Sequence, residues 1–250
     1  MPGFWQGICP KSGHSYLTMK MIIKDYELEA WLRSTPLSES SQPDPLSFNY
    51  KLTWHQRVQY AAGHALNDYF SLQPHQRLST PIQSMLNRRW PRSKEGFNSS
   101  LHYWEIYNCV VASLTRFCTV LFSQTPILMF EEMQVRVPEL AADLSMIFPA
   151  IWQGSSKAGG VKLQKFMVED QPELMQAFLH MANVFWNSAY GYPPDEIEIV
   201  VLLAGQTFVY PKDSLNLQKS LDYVLLLSET VEQDKVYQDC ACNEEKDKIS

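Results

Sequence analysis

The sequence predicts an α/β fold in which a mixed five-stranded sheet is flanked by helices and preceded by an N-terminal helical segment. Three observations carry this. Up to about residue 122 the apolar residues recur at helical spacing. From Ile127 onward the period shortens towards the two-residue alternation of strands. The run Ile197-Glu198-Ile199-Val200-Val201-Leu202-Leu203 is almost continuously apolar, the pattern of a strand buried on both faces.

Taken in order, residues 1–50 read as an irregular N-terminal segment holding one short helical piece, Asp25 to Leu32. The stretch from Arg33 to Phe48 is rich in Ser and Pro and reads as a loop. Thr53 is the cap of a helix to about Leu72, with Val58, Ala61, Ala62, Ala65, Leu66 and Tyr69 as its apolar stripe. Thr80-Pro81 opens a short helix that ends near Trp90-Pro91. Ser99 or Ser100 starts a long helix to about Phe122, whose stripe is Trp104, Tyr107, Val110, Val111, Leu114, Phe117, Cys118 and Leu121. Strands are expected at 127–137, 140–151, 161–168, 197–203 and 207–210. A glycine-rich turn, 154–160, separates the second from the third. Pro172 opens a helix through Trp186. Asp213 or Ser214 caps a last helix to about Val231. The chain thus divides into the irregular segment 1–50, one α/β domain over 51–231, and a flexible charged tail over 232–250.

Composition narrows the function classes. Hydrophobic residues make up 45% and charged residues 19%, enough for a core, and the formal net charge is -6. A wholly basic surface is excluded, so a nucleic-acid binder of this composition needs a local basic patch. No apolar run reaches the length of a membrane span, and the N-terminus lacks the basic-then-apolar pattern of a secretion signal. The five cysteines are odd in number, and Cys109 and Cys118 read as buried thiols, so a cytoplasmic location is expected. Nucleophile-elbow, P-loop and dinucleotide fingerprints are absent.

Certain residues fall on this element order in a recognisable way. His64 lies on the first long helix in Ala-Ala-Gly-His-Ala-Leu, Glu131 and Glu132 lie at the first strand, and Asp143 lies on the second. Lys165 lies on the third strand and Gln176 on the helix after it. From about Leu52 to Val231 the chain resembles the RecB-like branch of the PD-(D/E)XK nucleases. The resemblance implies a restriction-endonuclease-like core and Mg²⁺- or Mn²⁺-dependent hydrolysis of DNA. It implies a metal held by Asp143, Glu132 and His64, with Lys165, Glu131 and Gln176 in the catalytic group. The chemistry is coherent: hard cations take carboxylate oxygens, activate water and stabilise charge on the phosphate. A Lys two residues after a strand acid points to the same face as that acid.

Two positions depart from the family pattern. Leu163 stands where an acid is expected two residues before Lys165, and His180 stands where Tyr is expected four residues after Gln176. Gln164 points to the opposite face. Glu169 shares the face of Lys165 but lies at the far strand end. Weak or absent cleavage is therefore expected. The alternative reading is a catalytically inactive module that binds DNA, a helicase or another protein partner. Arg88, Arg89, Arg92 and Lys94, around Trp90, are the candidate nucleic-acid contacts: cations for phosphates and an indole for a base. Cys9, Cys240 and Cys242 fall short of the ligand set of an iron–sulfur cluster.

Overall fold

The computed structural model describes residues 21–34, 52–154 and 160–247, with side chains as far as Asp234. Its elements in chain order are β1 (Ile22–Lys24), α1 (Asp25–Ser34), α2 (Trp54–Phe70), α3 (Pro74–Arg77), α4 (Ile82–Arg89) and α5 (Ser100–Leu121). They continue with β2 (Leu128–Val137), β3 (Ala142–Gln153), β4 (Val161–Met167), α6 (Pro172–Tyr190), β5 (Glu196–Val201), β6 (Gln206–Pro211) and α7 (Leu217–Asp247). The fold is α/β with a mixed, open sheet. All five expected strands are present within two residues at each end, and β1 makes a sixth.

Local chemistry accounts for the helix starts. Thr53 closes a capping box on α2: its hydroxyl accepts from the Gln56 amide, and the Gln56 side chain accepts from the Thr53 amide. Ser99 accepts from the His102 amide at the start of α5 (3.0 Å). The last helix differs from expectation. Residues 212–214 form a short 3₁₀ turn, and Asn216 caps α7 by accepting from the Lys219 amide at 3.0 Å. α7 then runs on to Asp247, through residues expected to be a flexible tail. The short helical piece expected over Asp25 to Leu32 is α1, and β1, which was not expected, precedes it in the segment read as irregular.

β3 organises the sheet. β2 runs antiparallel along one of its edges, from Leu128↔Ile151 to Val137↔Ala142. Its other edge is shared. β1 pairs parallel with its first residues, Ile22↔Asp143 to Lys24↔Ser145, and β4 pairs antiparallel with its last, Ala150↔Gln164 to Gln153↔Val161. Between these two partners β3 and β4 diverge, and the start of α1 enters the gap. β5 lies parallel to β4 after the α6 crossover, and β6 pairs antiparallel with β5.

Helices cover both faces. One core joins α1, α6 and α7 to Leu144, Met146, Phe148, Leu163, Met167, Ile197 and Ile199. The other joins α2, α4 and α5 to Ala150, Trp152, Phe166, Val168, Val200 and Leu202. Along β3 the residues facing the first core are 144, 146 and 148, then 151. The alternation therefore slips by one residue at Pro149. Opposite Pro149, Phe130 takes a left-handed φ of 53°. Its ring lies over Gly63 of α2, where any Cβ would collide with it. A proline in β3 offers no amide to its neighbour, so this is where the β2–β3 ladder is cheapest to distort.

Buried Arg77 ties helix ends together. Its guanidinium donates to the carbonyls of Phe70, Leu72, Phe122 and Gln124 at 2.6–3.0 Å. These carbonyls lie at the C-terminal ends of α2 and α5, where helices leave acceptors without intrahelical donors.

Candidate functional site

The most charged interior position is Lys165. It lies on β4 between Leu163 and Met167, so it faces α1 and α6. Its ammonium is 3.4 Å from Asp25 Oδ2 and 3.6 Å from Glu29 Oε2, with the Phe178 ring 5.1 Å away. Asp25 is the first residue of α1, and its other oxygen accepts from the Ile147 amide in the gap between β3 and β4 (3.3 Å). Glu29 lies one helical turn later. It also accepts from Arg33 at 3.2–3.3 Å and from Gln59 of α2 at 3.3 Å. Arg33 in turn donates to Gln171 at 2.8 Å. Two carboxylates and two cations thus balance below the surface and join α1 to α2, β3, β4 and the start of α6.

Burial is the largest single influence on each member of this group, but it sets the net direction only at Asp25. It works to lower Lys165, but Asp25 and Glu29 outweigh it and hold the ammonium protonated. Burial raises Asp25 by more than Lys165 and the Ile147 amide offset. At Glu29 burial acts in the same sense, yet Lys165 and Arg33 together bring the carboxyl below its ordinary value. Beside the cluster is a small recess walled by Tyr26, Tyr60, Phe130 and Pro149.

The residues singled out in the sequence do not converge on Lys165. Asp143 is 3% exposed at the start of β3, where it accepts from Gln134 (2.7 Å) and Arg136 (3.1 Å) of β2. It pairs with Ile22, whereas Lys165 follows the residue paired with Ala150. The separation along β3 is about six residues, roughly 20 Å. The two side chains also lie on opposite faces of the sheet, because Asp143 alternates with Ala142 and Leu144 while Lys165 shares the side of Leu163 and Met167. Glu132 accepts from Ser145 at 2.6 Å, on the same face of the β2–β3 ladder as Asp143 but about 13 Å along β2 from Asp143's partner Arg136. Glu131 is exposed. His64 packs against Phe130 in a tilted arrangement, with ring centroids 4.4 Å apart. Gln176 is exposed on α6, and His180 bonds the buried Ser220 hydroxyl at 3.0 Å. Glu169 lies beyond the end of β4 and bonds His55 at 2.9 Å. Leu163 is fully buried between Ile151 and Ile197.

This donor set does not fit a divalent cation. Asp143, Glu132 and His64 are each engaged elsewhere, and among the described residues no group of three or more His, Cys, Asp or Glu side chains could hold a metal ion. Sequence reasoning missed Asp25 and Glu29. Their signal was faint: two acids one turn apart on a short helix whose remaining inward residues, Leu28 and Leu32, are apolar.

The basic cluster is partly changed. Arg88, Arg92 and Lys94 are exposed. Arg89 is exposed too but forms a two-point ion pair with Asp68, both contacts at 2.9 Å. Trp90 is only 5% exposed, its ring set against Tyr103 and Tyr107. Its face is not open to a base, which corrects the expected stacking role. Of the two thiols expected to be buried, Cys118 is, and burial pushes it up to about 12; Cys109 is exposed. Cys9 and the side chains of Cys240 and Cys242 lie outside the described residues. Among the described residues no helix is long and apolar enough to cross a membrane. No known protein family matches this chain, and no curated protein matches it either.

Proposed function

We propose that this chain is a RecB-like, PD-(D/E)XK-type protein that binds DNA and has lost metal-dependent hydrolysis. The element order supports the kinship: a helix, an antiparallel run of three strands, a crossover helix, and a strand parallel to the third. One observation carries the loss of hydrolysis. The strand lysine is neutralised by Asp25 and Glu29 of α1, while its family acid partner is the core residue Leu163. A lysine held between two carboxylates cannot steady a phosphate, and the carboxylates that hold it are occupied by it. The exposed Arg88, Arg92 and Lys94, on a chain of net charge -6, support a local polyanion contact.

The test is incubation with single- and double-stranded DNA in millimolar Mg²⁺ or Mn²⁺, with binding measured in parallel. Binding without cleavage is expected. Cleavage that disappears in both Asp143→Ala and Lys165→Ala would overturn the loss of hydrolysis and restore a nuclease. Absence of both binding and cleavage would leave a protein-interaction module, such as a helicase partner.

A further inference from the structure

Resting on the DNA-binding reading, we propose that the ledge formed by residues 91–97 and the first turns of α5 contacts single-stranded nucleic acid, with Trp104 as its stacking face and Arg92 and Lys94 as phosphate contacts.

Trp104 is out of place for a core residue. Its position was expected in the apolar stripe of α5, but that stripe is built from Tyr103, Ile106, Tyr107, Val110 and Leu114. Trp104 is left 50% exposed, with Leu101, one turn earlier on the same side, 68% exposed. A large aromatic held half in solvent offers a face on which any base can stack. Beside it is a fixed cation. The Lys94 ammonium lies 5.8 Å from the Trp104 ring centroid and 5.3 Å from that of Tyr103, and it reaches the Ser100 hydroxyl at 3.3 Å.

The segment that presents this cation is clamped. Arg57 of α2 donates to the carbonyls of Ser93 and Glu95. Tyr103 donates to the Pro91 carbonyl at 2.8 Å, and Phe97 sits edge-on to Tyr103. Gly96 makes the turn with φ +81°, a conformation other residues rarely adopt. Arg92 and Lys94 therefore project from a braced loop, and little conformational freedom is left to lose on binding.

The charge is of the right sign. Residues 88–105 hold four cationic side chains, of which Arg89 is paired with Asp68, against the acids Glu95 and Glu105, on an acidic chain. An exposed indole beside basic groups favours a single strand over a duplex, whose bases are already stacked on one another.

Fluorescence anisotropy of a labelled oligothymidine tests this, with the same length of duplex as comparison. The wild-type chain should bind the single strand more tightly than the duplex, and affinity should fall as salt rises. Trp104→Ala should weaken single-strand binding about 5- to 150-fold, the range that loss of one stacked base gives, while Trp104→Phe should keep most of it. Arg92→Gln with Lys94→Gln should make the slope of log affinity against log salt shallower by roughly 1.4, two phosphate contacts. Because Trp104 is exposed, its variants should keep the wild-type melting curve, and Trp104→Gln repeats the test if the alanine variant does not. Undiminished binding by Trp104→Ala, or equal losses on duplex and single strand, would overturn the ledge while leaving DNA binding standing. No binding of either form by the wild type would overturn both, and the ledge would then be a contact for protein.

Discussion

At the level of single residues, Lys165 shows how an interior can retain a charged group by redirecting it. An ammonium with only 5% exposure requires compensating charge, and α1 supplies it from a turn containing Asp25 and Glu29. Removing the lysine leaves two buried carboxylates facing each other. Lys165→Met should therefore lower unfolding free energy by about 3–5 kcal/mol in a denaturant titration. Adding Asp25→Asn should recover part of that loss, because the cost lies in the carboxylate left behind. A double variant whose loss equals the sum of the two single losses would show that the pair is not coupled.

At the level of elements, most of what the structure contains was legible where periodicity is strong. The stripe of α2, the cap at Thr53 and the run of β5 all stand as read. What escaped were features with no period. β1 is three residues long and exists because β3 offers it an edge. α3 is a single turn. Trp104 fits a helical stripe on paper, and only the competing fit of Tyr103 displaces it. The candidate site was legible as residue types but not as a place. Asp143 and Lys165 sit on neighbouring strands in sequence, yet the slip at Pro149 and the late start of the β3–β4 ladder set them on different faces. Arg77, singled out by no pattern, holds the ends of two helices. Arg77→Lys retains the charge but loses the fork that reaches four carbonyls. It should destabilise the fold by about 2–4 kcal/mol, since several buried acceptors lose their donor. Thermal melts would decide this, and a change of less than a degree would mean that water replaces the guanidinium.

At the level of the whole molecule, stability should depend on pH through groups far apart. Burial lowers His64, helped by Arg89, and burial lowers His180, each from an ordinary value of 6.5. For a histidine depressed in the folded state, the unfolded chain takes up protons first. Stability is then present above the unfolded value and is lost as pH falls through it. Glu29 and Glu169 are also depressed, Glu169 chiefly by its bond to His55, and they extend the loss to lower pH. Asp25, raised by burial, acts in the opposite sense. The melting temperature should fall between pH about 7 and about 5. A His64→Gln, His180→Gln protein should show a flatter curve over that range, and an unchanged slope would mean that neither ring is responsible.

The seat of β1 and α1 against β3 and β4 has a consequence in time. The bonds that fix it join residues 122 and 140 positions apart, Ile147 to Asp25 and Lys165 to Asp25. During synthesis this first segment leaves the ribosome with no edge to pair with. At the usual pace of about 5–20 residues per second it waits roughly 6–28 seconds for β3 and β4 to emerge. Contacts of such long range close late, because the loop entropy must be overcome before they contribute. The amides of β3 that face β1 should thus be among the last in the sheet to gain protection from hydrogen exchange during refolding, and α1 the last helix to stop exchanging with solvent.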